Sequence, residues 1–394
     1  MIRWHYAFYP TTLLEHAIGL TALAFLFETW RSGARITWRT PLTAPTLLFA
    51  LAGAVSVIVA PSHTAALGLF RAYIVEPIIL AFVLINIVTT VNRALLVLAG
   101  LAVAGTFVAV PNAVVVLDAL RSHTYDVTQT PPVVIYTTAN ALALFLGPLI
   151  AVAASLLLHS RQPIVRIFSA LFLVVGAAAM LLSFSRGGYL AMAAVAVGLA
   201  LSHRRRVVLL AGAVVAGVVI ALLPPVFHRI SLEFQNVNGT TLFGRAGRIE
   251  LWSATLQMLR EHVLFGAGLA GFAERIAPFW NPTHPERFID PHNIVLNFWV
   301  ETGLLGLFAF AWILIAGFRL TWRAWKAAPA LWRPIVLGVL LALVAVVVHG
   351  LVDVPYFKND LSLEFWTLMA IGQAAALAIS AGSAASSNPA PASA

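Results

Sequence analysis

Two arginines three residues apart, in Gly244-Arg245-Ala246-Gly247-Arg248, stand just ahead of an apolar helical pattern. Guanidinium groups hold phosphate oxygens in pairs and stay charged at any physiological pH. A helix start adds free N–H groups and the positive end of its dipole, so Arg245 and Arg248 are placed to bind an anion. A third arginine, Arg186, lies between two apolar runs in Phe184-Ser185-Arg186-Gly187-Gly188. The plain reading of Arg186 is a side chain reaching from a helix end to the membrane surface. The two following glycines argue against it, because they let a ligand or another backbone come close. The three arginines then form a pyrophosphate clamp. The alternative is an arginine-rich interfacial helix that touches lipid headgroups alone.

A second group is Asp290-Pro291-His292-Asn293, directly before a long apolar run. A histidine at such a boundary titrates near neutrality and can take a proton from a hydroxyl. The alternative is a helix entry capped by Asp290 or Asn293, with His292 incidental. Charges also fall inside apolar runs, where each is costly: Glu15, Arg71, Glu76 and Glu301, with Asp353 at a run's end just after His349. Arg71 and Glu76 are five apart, do not share an α-helical face, and are expected to need separate partners; a helix-packing ion pair is the other reading. There is no cysteine, no HExxH and no carboxylate cluster, and His284 and His292 are separated by prolines. Neither a metal nor another cofactor is expected.

The elements that must position these residues are membrane helices. Of 394 residues 61% are hydrophobic and 10% charged, far below the roughly 25% charge of soluble domains. The net charge of +9 comes from short arginine clusters between apolar runs, which act as topology signals and not as a nucleic-acid surface. No cleavable signal peptide is evident. Eleven stretches are apolar over about the 20 residues that a span requires: 11–29, 41–60, 67–89, 94–117, 133–158, 167–185, 187–202, 207–224, 293–318, 334–353 and 361–381. The expected fold is therefore an all-α integral membrane protein of about eleven transmembrane helices. It divides into an N-terminal bundle of about eight spans (1–224), an outer-face loop (225–292), three C-terminal spans (293–382) and a disordered tail (383–394).

Thirteen basic residues, from Arg31 to Arg333, fall on one set of short connections, against Arg3, Arg121 and Lys358 on the other. The first set is assigned to the cytoplasm, which puts the long loop outside. Within that loop Ile249, Trp252, Leu256, Leu259 and Val263 recur at helical spacing, predicting an amphipathic helix against the outer membrane surface. Gly266 and Gly268 read as its stop signals.

In this order the pieces resemble the O-antigen ligase and polymerase superfamily of bacterial membrane glycosyltransferases. The resemblance rests on Leu182-Ser183-Phe184-Ser185-Arg186-Gly187-Gly188-Tyr189-Leu190, Gly247-Arg248-Ile249-Glu250-Leu251-Trp252 and Gly266-Ala267-Gly268-Leu269. Pro291-His292-Asn293 and Glu301-Thr302-Gly303-Leu304-Leu305-Gly306 complete it. It implies transfer of a glycan from an undecaprenyl-diphosphate carrier to an acceptor hydroxyl at the periplasmic face of the inner membrane, without metal or nucleotide sugar. Lipid A-core is one such acceptor, in lipopolysaccharide biosynthesis. By motif, Arg186 and Arg248 would hold the diphosphate and His292 would activate the acceptor. Arg245, Arg71, Asp290, Asn293 and Glu301 are further site candidates from the residues themselves. The family commonly has one more N-terminal span, so a twelfth helix is expected in the full gene. Polymerases of polysaccharide repeat units and protein O-oligosaccharyltransferases share this donor chemistry. A secondary anion transporter is the rival from another class; it should show repeat symmetry and broken helices near the midplane.

Overall fold

A chain in a bilayer must satisfy its backbone N–H and C=O groups internally, and a single segment does so by coiling into a helix. The computed structural model describes residues 3–6, 9–126, 130–231, 247–281 and 288–387. A short antiparallel hairpin, β1 (Arg3–Tyr6) and β2 (Tyr9–Thr12), leads into α1 (Leu13–Ser32). Next come α2 (Thr43–Val59), then α3 (His63–Phe70), a π-helical turn (Arg71–Val75) and α4 (Glu76–Ile87), which form one rod. The chain continues as α5 (Val91–Arg121), α6 (Ala139–His159), α7 (Pro163–Leu182), α8 (Arg186–Ser202) and α9 (Arg206–Leu222). Short helices α10 (Pro224–Ser231), α11 (Arg248–Glu261) and α12 (Phe272–Arg275) precede α13 (Ile294–Ala327), α14 (Arg333–Gly350) and α15 (Asn359–Ser387).

Among the described residues eight helical segments are long and apolar enough to cross a membrane, and α2, α8 and α9 are shorter apolar helices. Together they coincide with the eleven apolar stretches of the sequence. The protein is an all-α, multi-pass membrane protein. Its centre is α6 packed on α14, both buried on nearly every side. Close approach is possible because Gly338 of α14 faces the Val152 backbone, where a Cβ would stand 3.0 Å from Val152 Cα. Around this pair, α8 packs on α6 and α14, α13 on α2, α15 on α4, and α5 on α7. Helix α9 has no buried residue and lies at the rim. Helix α15 continues to Ser387, into the Ala/Ser-rich stretch expected to be disordered; residues 388–394 lie outside the described residues.

Three local features depart from the sequence expectations. First, Arg71 and Glu76 do meet. The π-helical turn bonds the Glu76 N–H to the Arg71 carbonyl, five residues back, and this wider turn brings the side chains together. Arg71 Nε lies 3.1 Å from Glu76 Oε1, and Arg71 Nη1 lies 3.3 Å from Glu15 Oε1 on α1. One guanidinium thus serves both carboxylates.

Second, Gly266 and Gly268 are not the stop signals of α11, which ends at Glu261. They dock a loop onto a break in α13. At Gly303 the backbone turns to φ 67°, ψ −176°, a region that only glycine adopts readily. The Val300 carbonyl, freed by the break, accepts from Ala267 N–H at 2.7 Å and Gly268 N–H at 3.2 Å. Leu304 N–H donates to the Leu264 carbonyl at 3.0 Å. A Cβ on Gly266 would stand 2.2 Å from the Trp299 carbonyl oxygen, and a Cβ on Gly303 2.4 Å from that of Leu264.

Third, α11 also turns a second apolar face inward. Leu251, Ala254, Thr255, Met258 and Leu259 are buried, whereas Ile249, Leu256 and Val263 are exposed. Leu259 belongs to the buried side and not to the outward stripe. The helix is apolar on two sides because it has two apolar contacts to make: the protein on one, and an exposed surface continued by Leu264 and Phe265 on the other.

Candidate active site

The starts of α8 and α13, the start of α11 and the turn after α14 converge on one cavity of about 550 Å³. It lies at the end of the bundle away from Pro334, whose carbonyl at the other end of α14 accepts from Ser155 Oγ of α6. Arg186, Arg248, Asp290, His292 and Glu301 all line it, so five of the sequence candidates are brought together.

Arg186 is the first residue of α8. Ser185 caps that helix, its Oγ accepting from Gly188 N–H at 3.2 Å, and Phe184 turns the chain with φ 49°. The following glycines allow close packing, and Gly187 also lines the cavity. A Cβ on Gly187 would stand 2.7 Å from His349 Cδ2, and one on Gly188 2.8 Å from Met180 Sδ. Arg248 opens α11 beside a buried Gly247. Its side chain is 11% exposed, and its buried Nε has no hydrogen-bond partner among the described residues. Arg248 Nη2 lies 3.9 Å from Asp353 Oδ2. Arg245, read as its companion, lies outside the described residues.

His292 adopts φ 47°, uncommon for a side-chain-bearing residue, and is held there from several sides. Its N–H donates to Asp290 Oδ1 at 3.0 Å, and its ring meets Phe288 edge to face at 5.5 Å. The preceding Pro291 carbonyl accepts from Trp252 Nε1 of α11 at 2.9 Å. His292 Nδ1 stands 3.2 Å from both Asp353 Oδ1 and Asp290 Oδ1. Two carboxylates at Nδ1 require the proton to sit there, which leaves Nε2 bare as an acceptor. Burial alone would lower the His292 pKa. The hydrogen bond to Asp353 and the charges of Asp290 and Asp353 outweigh it, and the net shift is upward from 6.5. Burial pushes Asp353 up, but His292, His349 and Arg248 together hold it well below the usual carboxylate range.

Asn293 is the cap of α13. Its Oδ1 accepts from Val295 and Leu296 N–H, and its Nδ2 donates to the Leu351 carbonyl at 2.9 Å, tying α13 to the end of α14. Glu301 is buried, and its Oε2 accepts from Ala270 N–H at 2.9 Å. Arg71 is not among the cavity's lining residues; it is engaged by Glu15 and Glu76. Sequence reasoning missed Asp353 as a site residue. The available signal was its place as a charge at a span end, but its partner is 61 residues away. His349 and Asn297, which also line the cavity, were missed as well.

Chemically, the arrangement sets two guanidinium groups, which can pair with an anion, beside a histidine faced by two carboxylates. Among the described residues no group of three His, Asp or Glu side chains is arranged to hold a metal ion. No curated protein matches the chain significantly. Residues 171–311, the stretch that carries Arg186, Arg248, His292, Glu301 and the break at Gly303, match the family model described as O-antigen ligase. Over this stretch the chain is thus similar to the O-antigen ligase family.

Proposed function

We propose that the protein transfers a glycan from an undecaprenyl-diphosphate carrier to an acceptor hydroxyl, with inversion at the transferred sugar. The observation that carries this reading is the shared cavity, in which a buried arginine and a histidine base flank one carboxylate. In the reaction, His292 Nε2 takes the proton of the acceptor hydroxyl. The acceptor oxygen bonds to the anomeric carbon as the bond from that carbon to the diphosphate oxygen breaks. The departing electron pair stays on the diphosphate, whose charge Arg186 and Arg248 stabilise. Charge held ready in a partly dehydrated site is worth far more than in water, and no reorganisation is needed as the bond breaks.

Asp353 and Asp290 fix the tautomer of His292 and stabilise the imidazolium that forms. Asp353 also orients Arg248, so base and anion site are set by one side chain. Leu69, Tyr73 and Phe357 give the cavity an apolar wall beside α3, which suits the polyprenyl tail. The arginine bias of the short connections supports a cavity facing the periplasm and a protein of the inner membrane.

The test is transfer of labelled glycan from purified undecaprenyl-diphosphate donor by the full chain in nanodiscs. Polymerisation, ligation to lipid A-core and transfer to protein differ in acceptor, so parallel reactions with each acceptor class separate them. No transfer to any of them, with anion uptake into vesicles, would support transport instead.

A further inference from the structure

Asn297 lies one helical turn past the cap of α13, is 1% exposed, and lines the cavity. Neither its amide oxygen nor its amide nitrogen has a hydrogen-bond partner among the described residues. A buried amide left unpaired costs free energy, so its retention needs an explanation. The transfer mechanism above makes no use of it. Glu301 sits four residues further on, hence on the same helix face, and also lines the cavity. On α14, His349 lines the cavity with a buried Nε2 that likewise has no partner. The floor of the cavity therefore presents polar groups that the protein itself does not satisfy.

We propose that Asn297 is a sugar-recognition residue, binding hydroxyl or acetamido groups of the donor sugar attached to the diphosphate. An amide offers two donors and an acceptor in one plane, which matches groups that both donate and accept. The donor sugar is the occupant because of where it must sit. Its anomeric carbon lies between the diphosphate at Arg248 and the base at His292, and Asn297 stands near the start of α13, the helix that His292 precedes. Glu301, with its carboxylate held against Ala270 N–H, and His349 complete the polar floor. A site built to pair with a hydroxyl rejects ligands that lack it, because its own polar groups are then left unpaired. This inference rests on the glycan-transfer reading and adds the group that the enzyme uses to select its donor.

The experiment measures binding of two probes to the full chain in nanodiscs: undecaprenyl diphosphate alone, and the same lipid carrying N-acetylglucosamine or galactose. Wild type, Asn297→Leu and Asn297→Ala are compared. Wild type should prefer at least one sugar-bearing lipid by roughly tenfold, the worth of one or two well-placed hydrogen bonds. Asn297→Leu and Asn297→Ala should bind the bare lipid as wild type does and lose the preference. The thermal midpoint of Asn297→Leu should match or exceed that of wild type, since an unpaired buried amide has been removed. Variants that keep the wild-type preference, or a wild type without one, would overturn the inference while leaving glycan transfer standing. A wild type that binds neither lipid would instead bring down the transfer reading itself.

Discussion

His292 Nδ1 and Asp353 Oδ1 face each other at 3.2 Å, one from the segment before α13 and the other from the turn after α14. The same oxygen of Asp353 accepts from Val354 N–H at 2.9 Å, so the carboxylate cannot rotate away freely. Its other oxygen faces Arg248. His292 is thus held by a residue that belongs to a different helix end.

Two pH profiles test this dependence. In the proposed mechanism neutral imidazole is the base, and the His292 pKa is raised, so the wild-type rate should rise with pH through a midpoint above 6.5. Asp353→Asn removes one of the two carboxylate charges that raise it. The midpoint should then move to lower pH, and the plateau rate should fall because only the Asp290 carboxylate still fixes the tautomer. His292→Ala should lower turnover by roughly 10²–10⁴-fold, the usual worth of general-base catalysis, with little change in lipid diphosphate binding. A near wild-type rate for His292→Ala would leave His292 as a helix-entry residue and turn attention to Glu301 or Asp290.

Arg248 is expected to act through phosphate and not through packing. Arg248→Ala should abolish transfer with near-normal expression, and Arg248→Lys should also be poor because it loses the planar fork. Arg323→Ala, at an exposed position toward the far end of α13, should keep most activity. Since the arginines supply the positive charge, EDTA should not change the rate. Equal losses at Arg248 and Arg323 in the reconstituted assay would argue against the clamp.

The docked break in α13 should be intolerant of any side chain. Gly303→Ala meets both a forbidden backbone region and the Leu264 carbonyl, and Gly266→Ala meets the Trp299 carbonyl. Each should lower stability by at least about 1–3 kcal/mol, read as a fall in the thermal midpoint in detergent. Gly212→Ala on α9, with nothing within 4 Å, is the control and should be silent.

The charge triad of α1 and the π-helical turn makes a different prediction. Removing one member strands the others, so Arg71→Met should cost roughly 3–5 kcal/mol, the usual penalty for an uncompensated buried charge. The triple change of Glu15→Gln, Arg71→Met and Glu76→Gln should recover most of that loss in the same thermal measurement. A triple variant no more stable than Arg71→Met alone would show that the three do not act as a unit.

What was legible in the sequence was whatever depends on local composition. The eleven apolar stretches announce helices because the bilayer demands some 20 apolar residues in a row. Asn293 reads as a cap because its chemistry suits that place and little else. What stayed hidden depends on partners distant in the chain or on departures from 3.6-residue geometry. The meeting of Arg71 with Glu76 required a π-helical turn that no spacing rule anticipates. Gly266 and Gly303 both carry φ values near 65°, but nothing local says that they bind each other's segments. Asp353 was visible as a costly charge, while its partnership with His292 exists only once α13 and α14 lie side by side. Leu251 and Ile249 on α11 are both apolar, and composition does not say which faces the protein.

The break at Gly303 also separates two lengths. The stretch from Leu304 to Ala327 is about 36 Å long at 1.5 Å per residue, enough to cross the hydrocarbon layer by itself. The half-helix from Ile294 to Thr302, which follows His292 and carries Asn297 and Glu301, is fixed to the 264–270 loop and to the end of α14. A span adjusts to a thicker or thinner bilayer by tilting. Here the tilt can be taken up below the break, so the depth of the reacting groups is set by the docked loop. If the proposed transfer from a lipid carrier holds, its chemistry should in this way be insulated from the thickness of the membrane.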